Sequence, residues 1–253
     1  MFLLLRLLPY LVGIAQVFLF LSQTAYPRFY PWLVIVGVFL VPAASLLIAW
    51  KHVRAVDVIE KMTPTFLLIL ALGFGLLLAE SRLSIWTIAL IAGFASAISL
   101  ELLFLWARHP SAYPVNGLSH VNIAYVPLGI WYASYAASGL LIFLHASQLW
   151  YVGILGILGA LLFRTTGHPG ATTEQQRVWM GIGGLVGIEV GWIGTLLPLS
   201  MNMQGCIAAL VICAVLRVRR YVYDPVPSSR LAWSEAVIAI ILFIGGIASA
   251  KWL

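Results

Sequence analysis

One carboxylate, Glu189, sits deep inside an apolar stretch that runs over residues 178–199. A carboxyl group at bilayer depth is costly, so it faces a bundle interior, a polar partner or a water-filled cavity. The chemistry open to it is proton or cation exchange, or anchoring of a polar substrate group. The plain alternative is a hydrogen-bonded tie between helices, with Gln16 as a candidate partner. On a helical wheel Gly181, Gly184, Gly187, Gly191 and Gly194 form one stripe. Small residues so spaced let a second helix approach closely. Glu189 points the other way, with Ile182, Leu185, Trp192 and Leu196, which predicts a central helix buried on two sides.

A second group lies in the most polar apolar stretch, residues 121–144. Tyr125, Tyr132, Tyr135 and Gly139 share a face there, with Trp131 and Ser138 to one side and Asn122 to the other. Rings with hydroxyl tips suit a ligand-pocket wall. They suit equally a packed helix whose hydroxyls bond neighbouring backbone, and Pro127 frees one such carbonyl. With Glu189 and Trp192, residues Tyr125, Trp131, Tyr132 and Tyr135 make up the intramembrane candidate site. An alternative site is expected on two polar loops, from His109, Asn116, His120, Arg164, His168 and Arg177. Arginine there could clamp a phosphate or pyrophosphate headgroup, and histidine could act as acid or base. Loops on a basic face collect such residues in any case. No catalytic set is assigned to either.

Several chemistries lack their minimum residues. No lysine lies mid-stretch for a Schiff base, and His145 lies on the opposite side from His52, His109, His120 and His168, which disfavours a bis-histidine haem. No Gly-Lys-Ser/Thr phosphate loop, HExxH pair or GxSxG elbow occurs. No metal and no cofactor is expected. Cys206 and Cys213, seven residues apart on one segment, would be about 10 Å apart on a helix, too far for a disulfide.

The elements that must position these residues are membrane spans. Apolar residues make up 62% of the 253-residue chain and charged ones 9%, against roughly 25% charged in soluble domains. A spanning helix needs about 20 mostly apolar residues. Candidates are 2–22, 31–50, 64–80, 83–106, 121–144, 147–163, 178–199, 202–216 and 231–250, with 147–163 and 202–216 short enough that eight spans is the alternative count. The first reads as a membrane helix rather than a cleaved leader, because Pro9 interrupts it and no small-x-small site follows.

Charge gives these spans a direction. Of the 14 Lys and Arg, Lys51, Arg54, Lys61, Arg108, Arg164, Arg177, Arg217, Arg219, Arg220 and Arg230 fall on one side; Arg28, Arg82 and Lys251 fall on the other, and Arg6 lies within the first span. Basic excess marks the cytoplasmic face, so loops 51–63, 107–120, 164–177 and 217–230 and the N-terminus are expected inside. Trp32, Trp50, Trp86, Trp106, Trp150, Trp179, Trp233 and Trp252 lie near span ends, as headgroup-seeking indoles do. Glu101 and Arg108 are two turns apart and are expected to pair, and Arg217–Tyr223 reads as an anchor to anionic lipid.

The expected fold is all-α: one integral membrane domain over residues 1–253, a polytopic transmembrane bundle of about nine spans without a soluble domain. Its expected location is a bacterial-type plasma membrane, and its partners the bilayer, anionic lipid at the basic face, and a homo- or hetero-oligomer formed through the glycine-rich helix 178–199. The net charge of +6 follows membrane sidedness and does not imply nucleic acid. The leading functional expectation is a small transporter or translocation component working through Glu189. Alternatives are an enzyme acting on a lipid-linked or phosphorylated substrate at the cytoplasmic face, and a non-catalytic subunit or assembly factor of a membrane complex. A mid-membrane cavity at Glu189 would favour the first, an inner cleft the second, and a flat apolar flank the third.

Overall fold

A computed structural model describes residues 2–114, 116–166, 172–197 and 199–223, together with Trp233, Val237, Ile241 and Ile244. The described residues form helices and connections, with no strand among them. The helices are α1 (Phe2–Ala25), α2 (Tyr30–Ala49), α3 (Ala55–Leu76), α4 (Arg82–Arg108), α5 (Gly117–Phe143), α6 (Gln148–Thr165), α7 (Thr173–Leu196) and α8 (Met201–Tyr223); a single 3-10 turn, Pro27–Phe29, precedes α2. Seven of them, all but α3, are long and apolar enough to cross a membrane. The expected ninth span, 231–250, lies outside the described residues apart from Trp233, Val237, Ile241 and Ile244, which are helical and exposed.

Polar residues set the helix ends. Ser81 caps α4 by accepting from Ser84 N at 3.0 Å, and Ser147 caps α6 from Leu149 N at 3.3 Å. Thr172 and Gln175 form a reciprocal capping box at the start of α7. Helices also run further than hydropathy predicts. Residues 55–63, expected as loop, begin α3: Val58 and Met62 are buried, so the segment is amphipathic rather than irregular. Residues 217–223, expected as loop, continue α8. Charge lowers a hydropathy window without breaking a helix.

The chain divides into two compact units, Met1–Tyr125 and Val126–Leu253, with the boundary inside α5. In the first unit α1 and α4 run antiparallel. A Cβ on Gly13 would lie 2.8 Å from Ala97 Cβ and 2.9 Å from Gly93 O, and one on Gly93 would meet Val17 and, at 2.8 Å, Gly13 O. Thr65 and Ser99 share a hydrogen bond of 2.9 Å between α3 and α4. Arg108 Nε donates to Ile48 O, in the last turn of α2, at 2.9 Å. The expected pairing of Glu101 with Arg108 is therefore corrected: Glu101 accepts from Arg6 at 3.2 Å instead. Antiparallel packing of α1 brings Arg6 to that level, whereas Arg108 is drawn to the open carbonyl of α2.

One end of this unit accordingly collects the start of α1, the end of α2, the start of α3, the end of α4 and the start of α5. Arg6 lies over Phe104 at 5.4 Å and Lys61 over Trp106 at 4.8 Å, while Asn122 Nδ2 donates to Lys61 O at 2.7 Å. Arg28 and Arg82 lie at opposite ends of their helices from this cluster.

In the second unit α6 and α7 form a tight antiparallel hairpin. Gly159 lies against Gly183 O, and Gly187 against Leu155 O. A Cβ on Gly156 would lie 2.8 Å from Ile188, one on Gly191 3.0 Å from Val152 Cα, and one on Gly194 3.1 Å from Tyr151 Oη. The closest approaches are thus at Gly183, Gly187, Gly191 and Gly194, and the expected Gly184 stands beside them, where a Cβ would be in ordinary contact with Ala160 Cβ at 3.6 Å and Gly156 O at 3.7 Å. Gly181 is corrected out of the stripe, since a Cβ there would meet nothing within 4 Å. Residues 183, 187, 191 and 194 follow the four-four-three spacing of one helix face, and α6 selects that face. The stripe expected to serve oligomerisation is occupied by α6 of the same chain.

Candidate intramembrane site

Because the glycine face of α7 is taken by α6, the residues opposite it point outward. Leu185, Trp192 and Leu196 are exposed, and Glu189 is exposed among them. This corrects the expectation of a helix buried on two sides: among the described residues, one face of α7 is packed and the other is open. Glu189 makes no hydrogen bond or ion pair with the described residues. It lies seven residues from the end of α7, about 10 Å along the axis, well inside a helix long and apolar enough to cross a membrane. An apolar helix face is at home in lipid, but its one carboxyl group is not.

The polar residues of α5 serve its packing. Tyr125 Oη donates to Ala95 O at 3.3 Å in the first unit. Trp131 stacks on Tyr132 with centroids 5.8 Å apart, and its backbone and ring fill the side of Gly205 of α8, where a Cβ would lie 2.5 Å from Trp131 Cδ1. Tyr132 and Tyr135 are half-buried. Asn122 and Tyr125 belong to one unit and Trp131, Tyr132, Tyr135, Glu189 and Trp192 to the other.

A buried polar line in the second unit was not legible as a group in the sequence. Ser134 Oγ and Tyr151 Oη are 2.8 Å apart, and Ser138 Oγ contacts both Ser134 O at 2.8 Å and Gln204 Oε1 at 2.6 Å. Gln204 Nε2 donates on to Leu199 O at 3.3 Å. The line joins α5, α6 and α8 through hydroxyls and one amide. Ser134 and Ser138, four apart on α5, were the available signal; Tyr151 and Gln204 come from helices whose register only packing sets.

The alternative inner-face residues fall at helix ends. His109 follows α4, with its ring 5.5 Å from Phe104. Asn116 is exposed in the left-handed region at φ 55°, and His120 is exposed in the first turn of α5. These three belong to the first unit. Arg164 is exposed in the last turn of α6 and Arg177 in the second turn of α7, both in the second unit. His168 lies outside the described residues.

Arg219, expected to reach for lipid headgroups, turns inward. It is 3% exposed, donates to Phe163 O in the last turn of α6, and lies over Trp179 at 5.5 Å. Trp179 in turn stacks on Phe163, with centroids 6.3 Å apart. A guanidinium here satisfies a terminal carbonyl and complements the negative end of α6.

These observations define a helical, membrane-type protein with several helices long and apolar enough to span a bilayer and, on α7, a carboxyl group exposed among apolar side chains. Comparison of the chain with protein-family models, with curated proteins and with solved structures found no match.

Proposed function

We propose that this chain is a membrane-embedded subunit or assembly partner, and that α7 presents Glu189 to a helix of a second membrane protein. The observation that carries this reading is the exposure of Glu189 on an apolar flank of α7 whose opposite face is closed by α6. A carboxyl group in hydrocarbon gains most from a polar or basic side chain supplied by a neighbouring helix. The partner is therefore a membrane helix carrying Lys, Arg or an amide at matching depth. The test is photo-crosslinking from Leu185 and Trp192 in the full chain, in the membranes of its own cell. A discrete protein adduct at both positions, lost in Glu189→Leu, is expected; adducts with lipid alone at both positions exclude the reading.

A second reading, a transporter or translocation component, is favoured by the buried hydroxyl–amide line of Ser134, Tyr151, Ser138 and Gln204. Tyr132, Tyr135 and Trp131 would then serve as walls and Glu189 as the ionisable group. Glu189→Gln separates the two. A variant that assembles normally but fails to complement a deletion strain supports proton-linked transport, and full complementation excludes it.

In either role the protein resides in the plasma membrane with its basic ends inside, against anionic lipid. Cysteines at positions 54, 111, 172 and 228 would then resist labelling from outside intact cells, and labelling of any two of them from outside would overturn the nine-span topology.

A further inference from the structure

Gln16 and Gln23 lie two turns apart on α1, on one stripe with Phe20. Their side chains are 0% and 2% exposed, and neither the nitrogen nor the oxygen of either amide has a hydrogen-bond partner. Each amide offers two N–H donors and a carbonyl acceptor. Two such groups left bare inside a spanning helix are costly, because hydrocarbon supplies no substitute.

The stripe faces glycines of an unusual kind. At the crossing of α1 with α4, a Cβ on Gly13 would strike the neighbouring helix at 2.8 Å, so glycine is needed for backbone approach. On α2, the nearest atom to a Cβ on Gly37 would be the Gln16 amide nitrogen itself, at 3.2 Å, with Phe20 next at 3.8 Å. On α3, a Cβ on Gly73 would find Val34 at 3.5 Å and Phe20 at 4.0 Å, both in ordinary contact range. Close backbone packing does not require Gly73, whereas a methyl group on Gly37 would press directly on the Gln16 amide and displace it or whatever that amide binds. The Gly73 carbonyl also accepts from Tyr30 Oη at 2.6 Å, which places a hydroxyl with unused acceptor capacity at the same layer.

We propose that the first unit binds water inside the membrane span, at the buried amide of Gln16 beside Gly37 of α2 and at that of Gln23 further along the same stripe of α1. The ligand must be small, neutral and able both to donate and to accept. No charged side chain lies on the stripe to favour an ion. Gln23 is in the last two turns of α1, near the membrane surface, and Gln16 lies about 10 Å deeper. The stripe thus reads as a shallow site and a deep one on a single path.

The experiment is water-edited solid-state NMR on the full chain in lipid bilayers, with glutamine labelled at the side-chain nitrogen and signals assigned by Gln16→Met and Gln23→Met. The chain carries its own standards: Gln175 is exposed, and the amide of Gln204 is satisfied by Ser138 and Leu199. Gln16 and Gln23 should gain polarisation from water at short mixing times, as Gln175 does, and several-fold faster than Gln204. Gly37→Ala should slow the transfer to Gln16 several-fold and leave that to Gln23 unchanged. A wild-type Gln16 as slow as Gln204 overturns the proposal. If Gly37→Ala does not fold, the melting temperature of Gln16→Met decides: a rise means the amide was bare and overturns the proposal, whereas no change or a fall supports a hydrated site.

Discussion

The crossing of α1 with α4 and the hairpin of α6 with α7 both rest on glycine, but they use it over different lengths. In the first unit, the close glycine approach is confined to one crossing, Gly13 against Gly93, between helices separated by two others in sequence. Around that point the helices are held by ordinary side chains and by Arg6 reaching Glu101. In the second unit, the contact runs through Gly183, Gly187, Gly191 and Gly194 on α7 and Gly156 and Gly159 on α6, between helices joined by a short connection. Glycine at one crossing leaves the other faces of both helices to pack α2 and α3. A continuous glycine contact commits a whole face of α7 to α6 and turns the remaining face, with Glu189, outward. The number of glycines in register thus decides where the polar group ends up.

The largest effect should come from wedging the hairpin. Gly187→Leu places a side chain against the Leu155 carbonyl of α6 and is expected to cost about 3 kcal/mol or more, read as loss of folded yield and a lower melting temperature in detergent. Gly181→Leu, on the same helix but facing open space, should stay within about 0.5 kcal/mol of wild type. Equal damage from both would break the assignment of the stripe.

Wedging the point crossing should do less. Gly93→Ala meets Val17, a side chain that can move, and Gly13 O at 2.8 Å, which cannot. A loss of about 2 kcal/mol is expected. A loss as large as that of Gly187→Leu would show the first unit to be as glycine-dependent as the second.

The two arginines sharpen the comparison further. Arg219, 3% exposed and bonded to Phe163 O, should cost about 1.5–2 kcal/mol when changed to Gln. Arg6 is 46% exposed, so Arg6→Gln should cost less than about 1 kcal/mol, and less still at high salt. Thermal melts of both variants at low and high salt would check this; a reversed order would mean that Arg6 is the structural anchor.

Much of the architecture is legible in the chain. Runs of about 20 apolar residues must become helices in a membrane, because no other local structure satisfies their backbone there. The division of basic residues sorts the ends of the helices, and in the first unit Lys61 and Arg108 stand at one end, joined there by Arg6 from within the first apolar stretch. Pattern alone also places Glu189 opposite a glycine stripe, since a helical wheel needs no neighbours. Helix ends were less legible: hydropathy cannot tell a charged helical turn from a loop, as residues 55–63 and 217–223 show.

Register and neighbour choice belonged to the tertiary structure. Whether Gly181 or Gly183 starts the stripe depends on where α6 lies, and α6 itself shows only Gly153, Gly156 and Gly159 in an apolar run. Whether Arg219 seeks lipid or the end of α6 depends on a carbonyl 56 residues away. The meeting of Ser134, Tyr151, Ser138 and Gln204, and the isolation of the Gln16 and Gln23 amides, depend likewise on which helices touch. Sequence by itself determined what each helix could bury and where its odd polar groups stood along it. Only packing decided which face was buried, because in a bilayer most helix faces are apolar and hydrophobicity no longer tells inside from outside.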